Sequence, residues 1–133
     1  MIVVASILAN ALADDGDDGH RARDELGGEV DVSAPDLVDV ETVAVLRKRW
    51  LAETITEQRF AAAVTDLGDL ALDRYPTLPL IRRAVELRAN VTPYDAAYVA
   101  LAEGLACTLV TADVRLARTP RPRCAMRLLT STT

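Results

Sequence analysis

The chain has 133 residues, half of them apolar, so it can bury a core as a single domain over residues 1–133 and is not a disordered polypeptide. Its formal charge of −5 is unevenly spread: residues 1–113 hold 20 acids and 10 bases, whereas residues 114–133 hold Arg115, Arg118, Arg121, Arg123 and Arg127 and no acid. The acidic body argues against broad, non-specific nucleic-acid binding, while the basic tail either grips a phosphate backbone locally or is simply solvated.

Ile2-Val3-Val4 is a short β-branched run that predicts a first, central strand. Ser6 is placed to cap a helix over 7–13, and the acids from Asp14 onward begin a solvated turn that lasts to Gly19. A short helix over 20–26 ends at Gly27-Gly28, and Val30 to Ser33 reads as a second strand. Helices are predicted from about Asp36 to Leu51, from Thr56 to about Leu70, and over 78–88. Thr92-Pro93-Tyr94-Asp95 is a strong helix start: a capping hydroxyl, proline at the first position and an acid three residues after the cap. That helix reaches Leu105. A strand over 108–111, a helical turn over 114–117 and a last strand over 125–129 complete the chain. Short strands separated by helices predict a three-layer α/β/α domain with a short, mainly parallel sheet of four or five strands.

No run approaches the length of a membrane span, and the apolar start soon meets Asp14, Asp15, Asp17 and Asp18, so no signal peptide, no membrane association and a cytoplasmic location are expected. The single histidine, His20, and two cysteines, Cys107 and Cys124, without ligand spacing argue against zinc. Three acids remain as candidates. Glu41 shares a helix face with Leu37 and Val45, where a carboxylate is costly unless it meets an arginine such as Arg47 or Arg88, lies at the stripe's exposed margin, or binds a metal. Asp95 stands in a helix's first turn, and Asp113 follows a buried strand; each could also serve only as a cap. Tyr94 and Tyr98, one turn apart, read as packing or interface residues, and Trp50 as an interface anchor or the edge of the core. Three carboxylates at one sheet edge, without histidine, suit a hard cation and phosphodiester hydrolysis.

The segments Tyr94-Asp95-Ala96-Ala97-Tyr98-Val99-Ala100-Leu101-Ala102-Glu103 and Leu109-Val110-Thr111-Ala112-Asp113-Val114-Arg115-Leu116, with Glu41 after Pro35-Asp36-Leu37-Val38-Asp39-Val40, closely resemble the PIN-domain ribonucleases, specifically VapC-type toxins of bacterial toxin–antitoxin pairs. The resemblance covers essentially the whole chain. It implies a PIN-like fold, Mg²⁺ or Mn²⁺ held by Glu41, Asp95 and Asp113, RNA as substrate, inhibition by a cognate antitoxin and a two-fold homodimer with Tyr98 or the exposed apolar faces as contacts. The family's first strand ends in an aspartate, as Val-Val-Asp-Ala-Ser-Ala; this chain reads Val3-Val4-Ala5-Ser6-Ile7, without that acid. Ser6 and Asn10 offer only neutral oxygens there. An alternative is therefore an impaired, PIN-like binding module. A receiver-like domain would also gather acids beyond its strands, but it would be expected to have an acid after an early strand and a lysine at a late one, and the one lysine here is Lys48.

Overall fold

The computed structural model of the chain describes residues 1–28 and 31–129. Five strands form one parallel sheet: β1 (Ile2–Val3), β2 (Ser33–Pro35), β3 (Asp73–Tyr75), β4 (Leu109–Thr111) and β5 (Met126–Leu128), in the order β3-β2-β1-β4-β5. β1 is the central strand, as its β-branched run predicts. Ile2, Val3, Leu109 and Val110 are fully buried, which is the pattern of a parallel sheet covered on both faces.

Helices α1 (Ala5–Ala13), α2 (Asp17–Gly27), α3 (Val38–Leu51) and α4 (Glu57–Asp69) pack among themselves, with Ala9, Ala13, Leu46 and Ala63 at the centre of their contact. A 3₁₀ turn at Leu78–Leu80 leads into α5 (Ile81–Glu86), which packs on α6 (Pro93–Leu105). Parallel crossovers are right-handed as a rule, so the steps β1 to β2 to β3 carry α1–α4 to one face and the return to β4 carries α5 and α6 to the other. The result is the three-layer α/β/α arrangement. α6 comes close to β1, β2 and β4 because its inner surface is rich in alanine: Ala96, Ala97, Ala100 and Ala102 are all buried. A final turn, α7 (Val114–Ala117), links β4 to β5.

Several boundaries differ from those read in the sequence. α1 starts at Ala5, with Val4 in extended backbone as its cap and no side-chain cap bond, so Ser6 lies inside the first turn rather than capping it. α2 starts at Asp17, three residues early, because Asp14 Oδ1 accepts the Gly16 N–H at 2.7 Å and shortens the turn. Gly19 is required there: a Cβ would meet the Asp14 carbonyl oxygen at 1.8 Å. β2 lies at Ser33–Pro35, further along than expected; Val30 falls outside the described residues. β3 was not legible as a strand. Asp73-Arg74-Tyr75 is a polar edge strand, half-exposed, with no apolar run to mark it. Among the described residues, no helix is long and apolar enough to cross a membrane.

Candidate active site

The strand order reverses at β1, whose neighbours β2 and β4 are followed by connections that run to opposite faces. A crevice beyond the carboxyl ends of the strands is expected at such a switch. The structure has one there, a cleft of about 620 Å³ lined by Val4, Ala5 and Ser6 after β1, Thr111 and Asp113 after β4, Glu41, Lys48 and Val40 of α3, and Tyr94, Asp95 and Tyr98 of α6. All three candidate acids, Glu41, Asp95 and Asp113, thus reach one cleft from three different elements.

Glu41 is placed by the entry to α3. Asp36 Oδ1 accepts from the Thr77 hydroxyl at 2.6 Å, and Thr77 Oγ1 accepts the Leu37 N–H at 3.4 Å, fixing the chain just before the helix. Among the described residues, no arginine pairs with the Glu41 carboxylate. Its partner is the hydroxyl of Tyr98, which donates to Oε1 at 2.6 Å. Burial pushes the Glu41 carboxyl up; the Tyr98 bond pulls it partly back, and the charge on Asp95 adds to the rise. Burial and Glu41 together hold the Tyr98 phenol well above its ordinary value.

Asp95 follows from the capped start of α6. The Thr92 hydroxyl accepts the Asp95 N–H at 3.3 Å, as the Thr-Pro-x-Asp pattern predicts. Burial raises the Asp95 carboxyl most, then Asp113 raises it further; Thr92 and Arg115 offset part of this. Asp113 caps α7: its Oδ1 accepts the Arg115 N–H at 2.9 Å and the Leu116 N–H at 3.5 Å, while its own N–H donates to Thr111 Oγ1 at 3.0 Å. Asp113 therefore does cap a turn, and it also lines the cleft. A smaller adjoining hollow of about 190 Å³ shares Asp95 and Asp113 and adds Thr92 and Arg115.

Asp95 raises the Glu41 carboxyl and Asp113 raises that of Asp95, and carboxylates crowded in this way attract a cation. The donors are hard carboxylate oxygens, the kind Mg²⁺ prefers, so they fit such an ion in chemistry and charge. Among the described residues, no three His, Cys, Asp or Glu side chains stand close enough together to hold a metal ion as they are oriented. Val4 and Ala5, where β1 enters the cleft, contribute no side-chain oxygen.

Other candidates fall elsewhere. Ser6 lines the cleft, but Asn10 does not: its Oδ1 accepts from Arg49 Nη2 at 2.5 Å, between α1 and α3. His20 is exposed on α2, with its ring at 2.8 Å from the Gly16 carbonyl oxygen. Of the five tail arginines, Arg115 alone is among the lining residues of the cleft or its adjoining hollow. Arg127 instead pairs with Glu25. Tyr98 is 1% exposed, so it cannot be a dimer contact. Its place opposite Glu41 was missed because it sits in an apolar stripe; the available signal was its spacing of one turn from Asp95. Trp50, 39% exposed against Phe60 at 6.1 Å between ring centroids, is an edge residue.

The family model described as PIN domain matches residues 1–122. Ribonuclease VapC9 of Mycobacterium tuberculosis is 40% identical over 130 residues, covering 97% of this chain and 98% of that protein. Ribonuclease VapC1 of the same species is 40% identical over 129 residues, with 96% of each chain covered. Among solved structures, VapBC2 from Rickettsia felis, bound to a DNA fragment from its promoter, superposes with a TM-score of 0.66 at 15% identity over 96% of each chain.

Proposed function

The chain belongs to the PIN-domain family, and on that premise we propose that it is a Mg²⁺-dependent endoribonuclease, the toxin of a toxin–antitoxin pair, with Glu41, Asp95 and Asp113 as its cation ligands. The single observation that supports this best is the convergence of those acids, from α3, α6 and the end of β4, on one cleft. Relatives that match nearly the full length are named ribonucleases, which supports RNA as the substrate. Mg²⁺, with Mn²⁺ as a substitute, would supply an activated water and neutralise charge on the phosphate during phosphodiester hydrolysis. This chain's residues bind and orient. Arg115, 95% exposed and paired only loosely with Asp113 at 4.0 Å, would take a phosphate of the same strand.

A cognate antitoxin would cover this cleft with a cation, because an arginine among uncompensated carboxylates relieves their repulsion. A toxin–antitoxin assembly among the structural neighbours supports such a partner. A homodimer is expected from the same family, with a contact surface other than Tyr98.

One observation favours a second reading. Val4 and Ala5 leave the β1 side of the cleft without a carboxylate, and a site with fewer acids holds Mg²⁺ more weakly. The chain would then be an impaired, PIN-like binding module. Incubating the purified chain with total RNA, in Mg²⁺ or in EDTA, and sequencing new ends decides between them. New Mg²⁺-dependent ends support the nuclease; none at any Mg²⁺ concentration supports the module.

A further inference from the structure

We propose that Tyr98 is a positioning residue, whose hydroxyl ties down one oxygen of the Glu41 carboxylate on the cleft wall and leaves its charge uncancelled for a divalent cation. This rests on the reading of Glu41 as a cation ligand.

A half-buried carboxylate is ordinarily stabilised by a cationic side chain. Here the recorded partner among the described residues is a neutral phenol, donating to Oε1 at 2.6 Å. The choice of donor matters. An arginine would cancel the charge that a metal ion needs, whereas a hydroxyl fixes one oxygen and leaves the charge in place. Lys48 lines the same cleft, yet no ion pair joins it to Glu41 among the described residues.

The phenol is also well built for holding. The residue is almost wholly buried within the main core, so packing restrains its ring. It projects from α6 one turn beyond Asp95 and reaches across to α3. The bond therefore sets the relative placement of two acids from two helices. Partners that orient a ligating carboxylate through a hydrogen bond typically contribute about 10- to 100-fold in metal affinity. A phenol present only to satisfy its own buried hydroxyl would contribute none.

The test is a calorimetric Mn²⁺ titration of the full chain as wild type, Tyr98→Phe, Glu41→Gln and the double variant, with thermal unfolding of each. Tyr98→Phe should weaken Mn²⁺ binding about 10-fold or more in the wild-type background. It should cause no further loss beside Glu41→Gln, because the two changes remove the same interaction. Para-aminophenylalanine at position 98, which keeps a donor, should restore most of the affinity. If Tyr98→Phe does not fold, para-methylphenylalanine keeps the bulk without the donor and takes its place. Glu41-dependent binding that is indifferent to loss of the hydroxyl overturns the role of Tyr98 alone. An equal loss in both backgrounds also overturns it, since that would be a packing effect. A wild-type chain that takes up no Mn²⁺, or binds it as well after Glu41→Gln, overturns the cation-ligand reading itself and this role with it.

Discussion

Arg74 Nε donates to both carboxylate oxygens of Asp39, at 2.8 and 3.0 Å, so a side chain of the edge strand β3 holds the first turn of the helix that carries Glu41. The same guanidinium donates through Nη2 to the Leu67 carbonyl at 2.9 Å, near the end of α4. Three elements thus meet at one arginine. Asp39 is partly exposed, and solvent screening keeps the ion pair itself weak. The carbonyl bond adds to it. Arg74→Met should cost about 1–2 kcal/mol of stability, read as a lower chemical-denaturation midpoint with an unchanged slope. An unchanged midpoint would show that the clamp contributes nothing.

That strand also marks where sequence reading stops. Buried strands announce themselves by apolar runs, and Ile2-Val3 and Leu109-Val110 were legible for that reason. β3 gains its place from backbone pairing with β2 and from Arg74, and neither leaves a periodic trace. The start of α6 was legible because Thr92, Pro93 and Asp95 act within four residues. The start of α1 was not, because it is set by where β1 stops pairing rather than by a capping side chain. In the cleft, the three acids could be nominated from type and position, but the Tyr98–Glu41 bond joins residues 57 apart and depends on how two helices face each other.

Charge repulsion in the cleft has a sign that can be checked. Burial first, and then neighbouring carboxylates, raise the folded-state pKa of both Glu41 and Asp95. For an acid, a raised folded pKa means that the folded chain binds the proton more readily than the unfolded chain. Each group is therefore neutral in its effect below its unfolded pKa and becomes costly as pH rises through the carboxylate range. At pH 7 and in EDTA, Asp95→Asn should melt a few degrees above wild type, and the gap should close as pH falls through that range. A variant that melts no higher than wild type at pH 7 would contradict the cost assigned to burying and crowding this charge.

A local strain elsewhere offers an independent check on the backbone. Ala106 ends α6 in the left-handed region, at φ 53° and ψ 43°, a conformation that costs a residue with a Cβ about 1–2 kcal/mol. Glycine carries no such penalty but loses more chain entropy on folding, about 0.5–1 kcal/mol. Ala106→Gly should thus raise stability by up to about 1 kcal/mol, measured by denaturant unfolding. A clear loss of stability would show that Ala106 is not in this conformation.

The proposed ligands make a joint prediction. Glu41→Gln, Asp95→Asn and Asp113→Asn each remove a charge with almost no change in volume. Each should lower Mg²⁺-dependent RNA cleavage by more than about 100-fold, since a direct ligand matters more than the partners that orient it, while circular dichroism stays native. Asp113 also caps α7, so Asp113→Asn, which keeps a capping oxygen, separates the two roles. Full cleavage by Asp95→Asn in Mg²⁺ would remove Asp95 from the site.

The β1 side of the cleft carries the sharpest expectation. Val4 is the cap of α1 and makes no side-chain cap bond, and Ala5 is the first helical residue; both line the cleft with hydrocarbon. An aspartate inserted after Val4 would stand where strand gives way to helix. Its carboxylate would face the amides of the first turn, a position that favours acids and is worth about 1 kcal/mol as a cap. It would also bring another hard oxygen donor towards Glu41, Asp95 and Asp113. Asp14 and Asp15 cannot serve instead. Asp14 Oδ1 accepts the Gly16 N–H, and Asp15 pairs with Arg59 at 2.8 Å, beyond the far end of α1. Without metal, the capping gain and the added repulsion oppose each other, so stability in EDTA should move little. With metal, affinity should rise, because each added carboxylate strengthens a hard-cation site. Mg²⁺ titration and RNA cleavage, run side by side on the chain with and without the insertion, measure this. Tighter Mg²⁺ binding and faster cleavage by the inserted chain are expected; equal values in both would mean that Glu41, Asp95 and Asp113 suffice.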